Sequence, residues 1–403
     1  MLWGEKMRAI VLSGGGSKGA YQIGVWKALR KLKLKYDVVT GTSVGALNAA
    51  LMVQNNYYKA LYFWRKLSFS DVIDEEIDKN ITKKEIYKKY LSAVMNGGMK
   101  TNNLKKTVSK AISVKKIYNS PIDMGIVTVK SKGLKPVLLR KKDIKKDQLY
   151  DYLVASASCF PAFSKKKIGD SEYIDGGLYD NMPINLAIDM GATEVIAIDL
   201  EEVGIKRRVK NKEIPITYIS PNNDIGSFLI FEHKMAKRAI RIGYNDAMKK
   251  FKELDGNVYT FKKGEIRDSY LKYYNDFRNE VEKIIENKML EIGVYKKIID
   301  SKNWEQDYLK MLEQLAKTFE LDDSLIYNIP RFNKMLIKKF EDTSEIIDIQ
   351  GFIKKADFKK LINKRLLVKK MYFYKREKLA SLFPKEYLMT IYLKLIIGNA
   401  VVY

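Results

Sequence analysis

Three stretches of this 403-residue chain set reactive groups beside glycine. The first is Ser13-Gly14-Gly15-Gly16-Ser17-Lys18-Gly19, which follows an apolar run and opens a helical pattern. Adjacent glycines accept backbone angles that side chains forbid. A helix N-terminus adds free N–H groups at the positive end of its dipole. Such a loop holds an anion, either a phosphate or a transient oxyanion. The second stretch, Gly41-Thr42-Ser43-Val44-Gly45, is a G-x-S-x-G between a strand-like and a small-residue helical segment, the setting of a nucleophile elbow. Ser43 is then the candidate nucleophile. The third, Asp175-Gly176-Gly177, ends a short strand on a carboxylate, and its glycines keep space open in front of it. Taken alone, that last triplet is a common turn.

The glycine loop permits three readings. It fails as a Walker P-loop, because Gly19 is followed by Ala20 and Tyr21 where Lys and Ser or Thr are needed. A dinucleotide fingerprint matches at Gly14, Gly16 and Gly19, but it requires an acid at the end of the next strand, and Asp37 lies at its beginning. An oxyanion hole drawn from Gly14, Gly15, Gly16, Ser17, Lys18 and Gly19 is the third. The loop alone does not choose between the last two. Ser43 also needs a base. The only histidine, His233, sits in a charged helical stretch and reads as a surface or packing residue. A carboxylate within hydrogen-bond reach can serve instead. One cysteine, Cys159, excludes an internal disulfide and a multi-cysteine metal site, and one histidine excludes a His-rich zinc site. No metal or other cofactor is expected.

Taken together, the three motifs resemble those of the patatin-like phospholipase family. That family carries a G-G-G-x-[KR]-G loop, then G-x-S-x-G, then D-G-[GA], and all three stand here in order. Ala155-Ser156-Ala157-Ser158-Cys159-Phe160-Pro161-Ala162-Phe163 resembles the family's A-S-x-x-x-P-x-F segment, and Asn181 and Pro183 fit the stretch after the aspartate. The resemblance covers about residues 7 to 220. It implies a three-layer α/β/α sandwich and a Ser43–Asp175 dyad that cleaves acyl esters of lipids through an acyl-enzyme, without a catalytic histidine. Backbone N–H groups of Gly15, Gly16 and Ser17 would hold the oxyanion. Ser13 and Lys18 depart from the commonest family residues, Asp and Arg, and leave substrate preference open.

These groups need a scaffold to position them, and the first half supplies one. Strand-like segments at 9–12, 36–40, 125–129, 136–139, 195–199 and 216–219 alternate with helical ones at 21–34 and 44–53. That alternation predicts a mainly parallel sheet covered on both faces. Beyond about Ser227 strand signals thin out, with amphipathic helices expected at Val281–Leu290 and Asp357–Tyr374. The division expected is a catalytic domain over 1–263 and a basic, mostly helical region over 264–403. The apolar run Tyr387–Tyr403 is read as a buried terminal element.

The net charge of +26 favours anionic partners. Residues 351–403 alone hold 13 Lys or Arg against 3 acids. An anionic membrane surface, contacted peripherally, is the expected partner besides the phospholipid or other acyl-lipid substrate. No signal peptide or spanning segment is visible, and the expected location is cytoplasmic, at the inner face of the membrane. The alternative is a non-catalytic protein that binds a nucleotide through the glycine loop or nucleic acid through the basic surface. Nucleic acid is not favoured, because no zinc finger, RNP motif or persuasive helix-turn-helix pattern is present.

Overall fold

The computed structural model describes residues 6–74, 82–286, 303–342, 364–373 and 383–400. The chain forms two compact units, Met1–Lys250 and Phe251–Tyr403. The sequence reading put the change of character at about Gly264.

In chain order the first unit comprises β1 (Arg8–Leu12), α1 (Ala20–Lys31), β2 (Val38–Thr42), α2 (Val44–Val53), α3 (Tyr57–Lys66), α4 (Lys83–Met95), α5 (Asn102–Ala111) and α6 (Val114–Tyr118). Then follow β3 (Asp123–Lys130), β4 (Lys135–Arg140), α7 (Leu149–Ser156), β5 (Lys166–Ile168), β6 (Ser171–Asp175), α8 (Ile184–Asp189), β7 (Glu194–Ile198), β8 (Ile216–Ile219) and α9 (His233–Lys250).

The strands form one sheet in the order β5-β6-β3-β2-β1-β7-β8, with β4 also paired to β3. The run from β3 to β8 is parallel, as the strand–helix alternation requires. Both faces of its centre are covered. Ala9, Val11, Val38, Val195 and Ala197 pack with Ile184 and Ala187 of α8. The opposite-facing Ile10, Leu12, Val39, Ile196 and Ile198 are buried too. Hence these strands read as continuous apolar runs rather than alternating ones.

The antiparallel part was not legible as such. Pro136–Leu139 looks in sequence like one more member of the series, yet β4 folds back on β3. Only a short turn joins them, with Gly133 at φ +77, and so short a connection can only link antiparallel neighbours. β6 and β5 extend this edge, also antiparallel.

Helices α1 and α9 cross at very short range. A Cβ on Gly24 would lie 2.0 Å from the Ile240 carbonyl, and one on Gly243 would lie 2.1 Å from the Tyr21 carbonyl. The Tyr21 hydroxyl donates to Asp246 at 3.0 Å, and Lys249 pairs with the same carboxylate. α9 is thereby fixed against the helix that follows the glycine loop.

The second unit packs α10 (Glu265–Glu286) and helices at Trp304–Thr318, Ile329–Glu341, Lys364–Phe373 and Pro384–Ala400 around its own core. That core includes Phe261, Phe319, Phe332, Tyr392 and Leu393. A small sheet of Leu254–Asp255, Thr260–Lys262 and Ile326–Tyr327 accompanies them, its strands too short to signal themselves in sequence. Within the apolar C-terminal run, Leu388, Met389, Ile391, Tyr392, Leu393 and Ile396 are buried. No helix among the described residues is long and apolar enough to cross a membrane. Of the helix expected at Asp357–Tyr374, Lys364–Phe373 is described. Leu367 and Met371 pack there with Phe383, and Val368 joins the unit's main core. The remainder of that segment lies outside the described residues, as do residues 287–290 of the expected Val281–Leu290 helix.

Candidate active site

Ser43 stands between β2 and α2 at φ 58 and ψ −129, a strained backbone for a residue with a side chain. The flanking glycines make the turn possible. A Cβ on Gly41 would lie 2.2 Å from the Gly45 carbonyl, and one on Gly45 would lie 2.3 Å from the Leu12 carbonyl. No side chain fits at either place. The Ser43 N–H donates to Ser156 Oγ at 2.9 Å, and Ser156 donates onward to the Val127 carbonyl at 2.6 Å. A buried serine at the end of α7 therefore ties the turn to β3. Thr42 ties it on the other side, donating to the Asp180 carbonyl at 2.7 Å.

Asp175 is the last residue of β6 and is buried. Its carboxylate accepts the Gly177 N–H at 2.7 Å, and the Ser43 side chain stands close enough to lower its affinity for protons. Its own N–H donates to the Ser158 carbonyl at 2.9 Å. Gly176 is pressed against β3, since a Cβ there would sit 2.2 Å from the Val127 carbonyl. Burial pushes the Asp175 carboxyl up to about 6, with the Gly177 N–H and the nearby Ser43 side chain pulling the other way. A carboxylate so placed is ionised at neutral pH and more basic than one in water.

Two other groups nearby are distinguished by their partners. Asp180 is also pushed to about 6 by burial, but its carboxylate accepts the Met182 N–H at 3.2 Å and the Arg207 N–H at 3.5 Å. The Cys159 thiol is pushed up to about 12, by burial first and then by the Asp175 charge. It is a neutral thiol at physiological pH, as a structural role requires.

The glycine loop lies against Ser43. A Cβ on Gly14 would meet Ser43 Cβ at 3.0 Å. The Gly14 N–H is occupied, donating to Asn181 through both its carbonyl oxygen, 3.2 Å, and its side-chain oxygen, 3.1 Å. The Ser17 N–H donates to the Phe228 carbonyl at 2.9 Å, and the Lys18 N–H to the Gly15 carbonyl at 3.1 Å. Lys18 Nζ pairs with Glu202. Among the described residues the N–H groups of Gly15 and Gly16 meet no acceptor. Gly15 is buried and Gly16 half-buried. Unpaired N–H groups away from solvent are rare, and these two stand in succession in the loop that packs against Ser43.

His233 is exposed at the start of α9, and its Nε2 meets the Lys66 carbonyl at 3.0 Å. Ser156, Asn181 and the Ser158 carbonyl are the supporting groups that sequence motifs left without a role. Their contacts join segments far apart in the chain, which no local pattern reports. No cluster of metal-ligating side chains occurs among the described residues.

Residues 10–188 match the model of the patatin-like phospholipase family. That stretch is similar to a patatin-like phospholipase domain. Patatin-like phospholipase domain-containing protein 7 of Rattus norvegicus is 26% identical over 201 residues, covering 48% of this chain and 13% of that protein. Domain-containing protein 6 of Homo sapiens is 28% identical over 200 residues, with 48% and 13% covered. The cUMP-AMP-activated phospholipase of Escherichia coli is 25% identical over 223 residues, with 49% of this chain and 62% of the relative covered. The matched region thus spans 13% of the length of each of the first two relatives. Among solved structures, VipD from Legionella pneumophila aligns over 98% of this chain and 91% of its own, with 13% identity and a TM-score of 0.40.

Proposed function

We propose that this protein is a serine acyl hydrolase that cleaves acyl esters of phospholipids or related lipids. The observation that carries the reading is the Ser43 hydroxyl placed beside a buried Asp175 carboxylate, whose affinity for protons burial raises. In the proposed reaction Ser43 Oγ attacks the ester carbonyl while Asp175 accepts its proton. The carbonyl oxygen gains charge and is held by the Gly15 and Gly16 N–H groups. Collapse of the tetrahedral intermediate breaks the ester C–O bond, and the departing alcohol takes the proton from Asp175. Water, deprotonated by the same carboxylate, then attacks the acyl-enzyme, releasing the fatty acid and restoring Ser43. The relatives' names, phospholipase in each case, support the substrate class. A nucleotide- or nucleic-acid-binding role gives the Ser43–Asp175 contact no purpose.

Action at a lipid surface is part of this proposal. Leu91 and Met95 stand 68% and 86% exposed on α4, on a helix that also carries Lys84, Lys88 and Lys89. Apolar residues beside lysines suit a bilayer with anionic headgroups, such as the inner face of a cell membrane. The deciding experiment is lipid mass spectrometry after incubation with a mixed phospholipid extract. Free fatty acid and lysolipid should accumulate with the wild-type protein and not with Ser43→Ala. Equal product in both would overturn the assignment.

A further inference from the structure

One chain of buried side chains holds the glycine loop at both of its ends. Gln22 of α1 donates from Nε2 to the Ser13 carbonyl at 2.8 Å, at the loop's entry. Asn48 of α2 donates from Nδ2 to the Gly19 carbonyl at 3.0 Å, at its exit. The same Nδ2 donates to Gln22 Oε1 at 2.8 Å, and the Trp64 indole N–H of α3 donates to Asn48 Oδ1 at 2.8 Å. Gln22, Asn48 and Trp64 are all buried. We infer that Gln22 and Asn48 are positioning residues, which through this chain fix the Gly15 and Gly16 N–H groups relative to Ser43. The inference rests on the hydrolase reading given above, in which those two N–H groups receive the developing charge.

Trp64 sets the direction of every bond in the chain. An indole nitrogen only donates, so the oxygen of the Asn48 amide must face it. Both N–H bonds of Asn48 are thereby turned to the Gly19 carbonyl and to Gln22 Oε1. Gln22 Oε1 is then an acceptor, and its Nε2 faces the Ser13 carbonyl. Each amide has a single orientation, and a buried network satisfied in this way is rigid. Removing one member leaves a buried polar group without its partner.

The chain joins the parts that must be aligned. Asn48 lies in the second turn of α2, the helix that begins directly after Ser43. Through Asn48 and Gln22 that helix is bound to both ends of the loop, so nucleophile and loop share one frame. Ser13 is fixed from the other side as well, its Oγ accepting the Leu200 N–H at 2.8 Å. Gly19 has no room to move inward: a Cβ there would lie 2.6 Å from Val44, the neighbour of Ser43, and 2.7 Å from the Trp64 ring. With both end carbonyls held, the stretch from Gly14 to Lys18 keeps a constant span. Such bracing matters because a misplacement of about 1 Å can cost ~10²-fold in rate, and donors aimed at a developing charge act by being fixed in advance.

The test uses the full chain, p-nitrophenyl butyrate as substrate and an alkyl trifluoromethyl ketone as probe. Ser43 Oγ bonds to the ketone carbon, the carbonyl electron pair moves onto oxygen, and the serine proton passes to Asp175. The adduct is a tetrahedral oxyanion that needs the same N–H groups as the reaction. Gln22→Met keeps the side-chain length and removes both polar atoms. It should lower kcat ~10-fold with KM changed less than about twofold, the pattern of an interaction made only in the transition state. The inhibition constant of the ketone should rise by the factor by which kcat falls. A merely destabilised protein would lose kcat through a smaller active fraction and keep the ketone constant of the wild type. Asn48→Asp, which turns an oxygen toward two acceptors, should act in the same direction. Trp64→Phe removes only the donor that orients Asn48, and should shift kcat and the ketone constant together by about threefold. That milder variant keeps the test decisive if the other two fail to fold. Unchanged kcat, or a lowered kcat with an unchanged ketone constant, would overturn the inference and leave the hydrolase standing. Wild type that neither hydrolyses the ester nor binds the ketone would overturn the hydrolase reading and this inference with it.

Discussion

Ser43 and Asp175 follow from two strands that meet end to end along one edge of β3. Thr42, the last residue of β2, pairs with Val127, and Asp175, the last residue of β6, pairs with Thr128. β4 occupies the other edge over the same stretch. β2 runs parallel to β3 and β6 antiparallel, so their C-terminal ends converge on adjacent residues. A hydroxyl and a carboxylate from distant parts of the chain thus face each other on a rigid scaffold rather than on loops.

The nucleophile is tested by substitution at Ser43. Ser43→Ala should abolish ester hydrolysis and labelling by a fluorophosphonate while circular dichroism stays unchanged. Ser43→Gly should be equally inactive but more stable by about 1 kcal/mol, because glycine removes backbone strain of about 1–3 kcal/mol at a positive φ. Labelling that survives in either variant would point to a different serine.

Asp175 makes a prediction about rate and pH. Asp175→Asn should lower turnover of a soluble ester at least ~10², the lower range for losing a general base. In the wild type, kcat/KM should fall as pH drops through about 6, where the carboxylate takes up a proton. His233→Ala should leave both the rate and this acidic limb in place, since His233 faces the Lys66 carbonyl at the surface. The opposite ranking of the two variants would restore a histidine base.

Stability should change in the opposite sense to activity. The folded-state pKa of Asp175, about 6, is above the 3.8 of a free aspartate. The fold therefore prefers the protonated form, and the cost of burying the charge is fully felt above about pH 6. That cost is about 3 kcal/mol at 1.36 kcal/mol per unit. It fades as pH falls from about 6 to about 4. Asp175→Asn should accordingly melt higher than wild type at pH 7.5, and the gain should vanish near pH 4, as read by calorimetry at both values. A variant that melts lower at pH 7.5 would show that the charge is compensated.

Ser156 should act as a positioning residue. Ser156→Ala leaves the Ser43 N–H without its acceptor, a loss of about 1–3 kcal/mol for a buried donor. We expect kcat to fall about tenfold with little change in KM, equivalent to about 1.4 kcal/mol, and Ser156→Thr to recover most of it. A KM effect alone would mean that Ser156 shapes binding instead.

Membrane association should depend on both apolar contact and charge. Sedimentation with vesicles rich in anionic lipid should weaken with added salt, because surface attraction is screened over about 8 Å at physiological ionic strength. Leu91→Glu with Met95→Glu should weaken it further. Lysines of the Lys364–Phe373 helix should matter less: Lys364 pairs with Glu386, and Lys369 donates to the Glu341 carbonyl and lies over the Phe340 ring. Equal binding to neutral and anionic vesicles at every salt concentration would exclude the electrostatic part.

What the sequence by itself determined was local. A glycine on each side of Ser43, a strand before it and a small-residue helix after it define a turn whose sterics involve only neighbours. The parallel centre of the sheet was legible for the same kind of reason, because strands buried on both faces carry unbroken apolar runs. The tertiary structure decided what depends on pairing. The fold-back of β4, and with it the converging ends of β2 and β6, rests on register between segments that carry no mark of their partners. Which loop N–H groups stay free of a partner was likewise decided in three dimensions. Six loop residues look equivalent in sequence, but Asn181 occupies the Gly14 N–H and Phe228 the Ser17 N–H, and only Gly15 and Gly16 remain open among the described residues. Hydrogen bonding between distant segments, not composition, makes that selection.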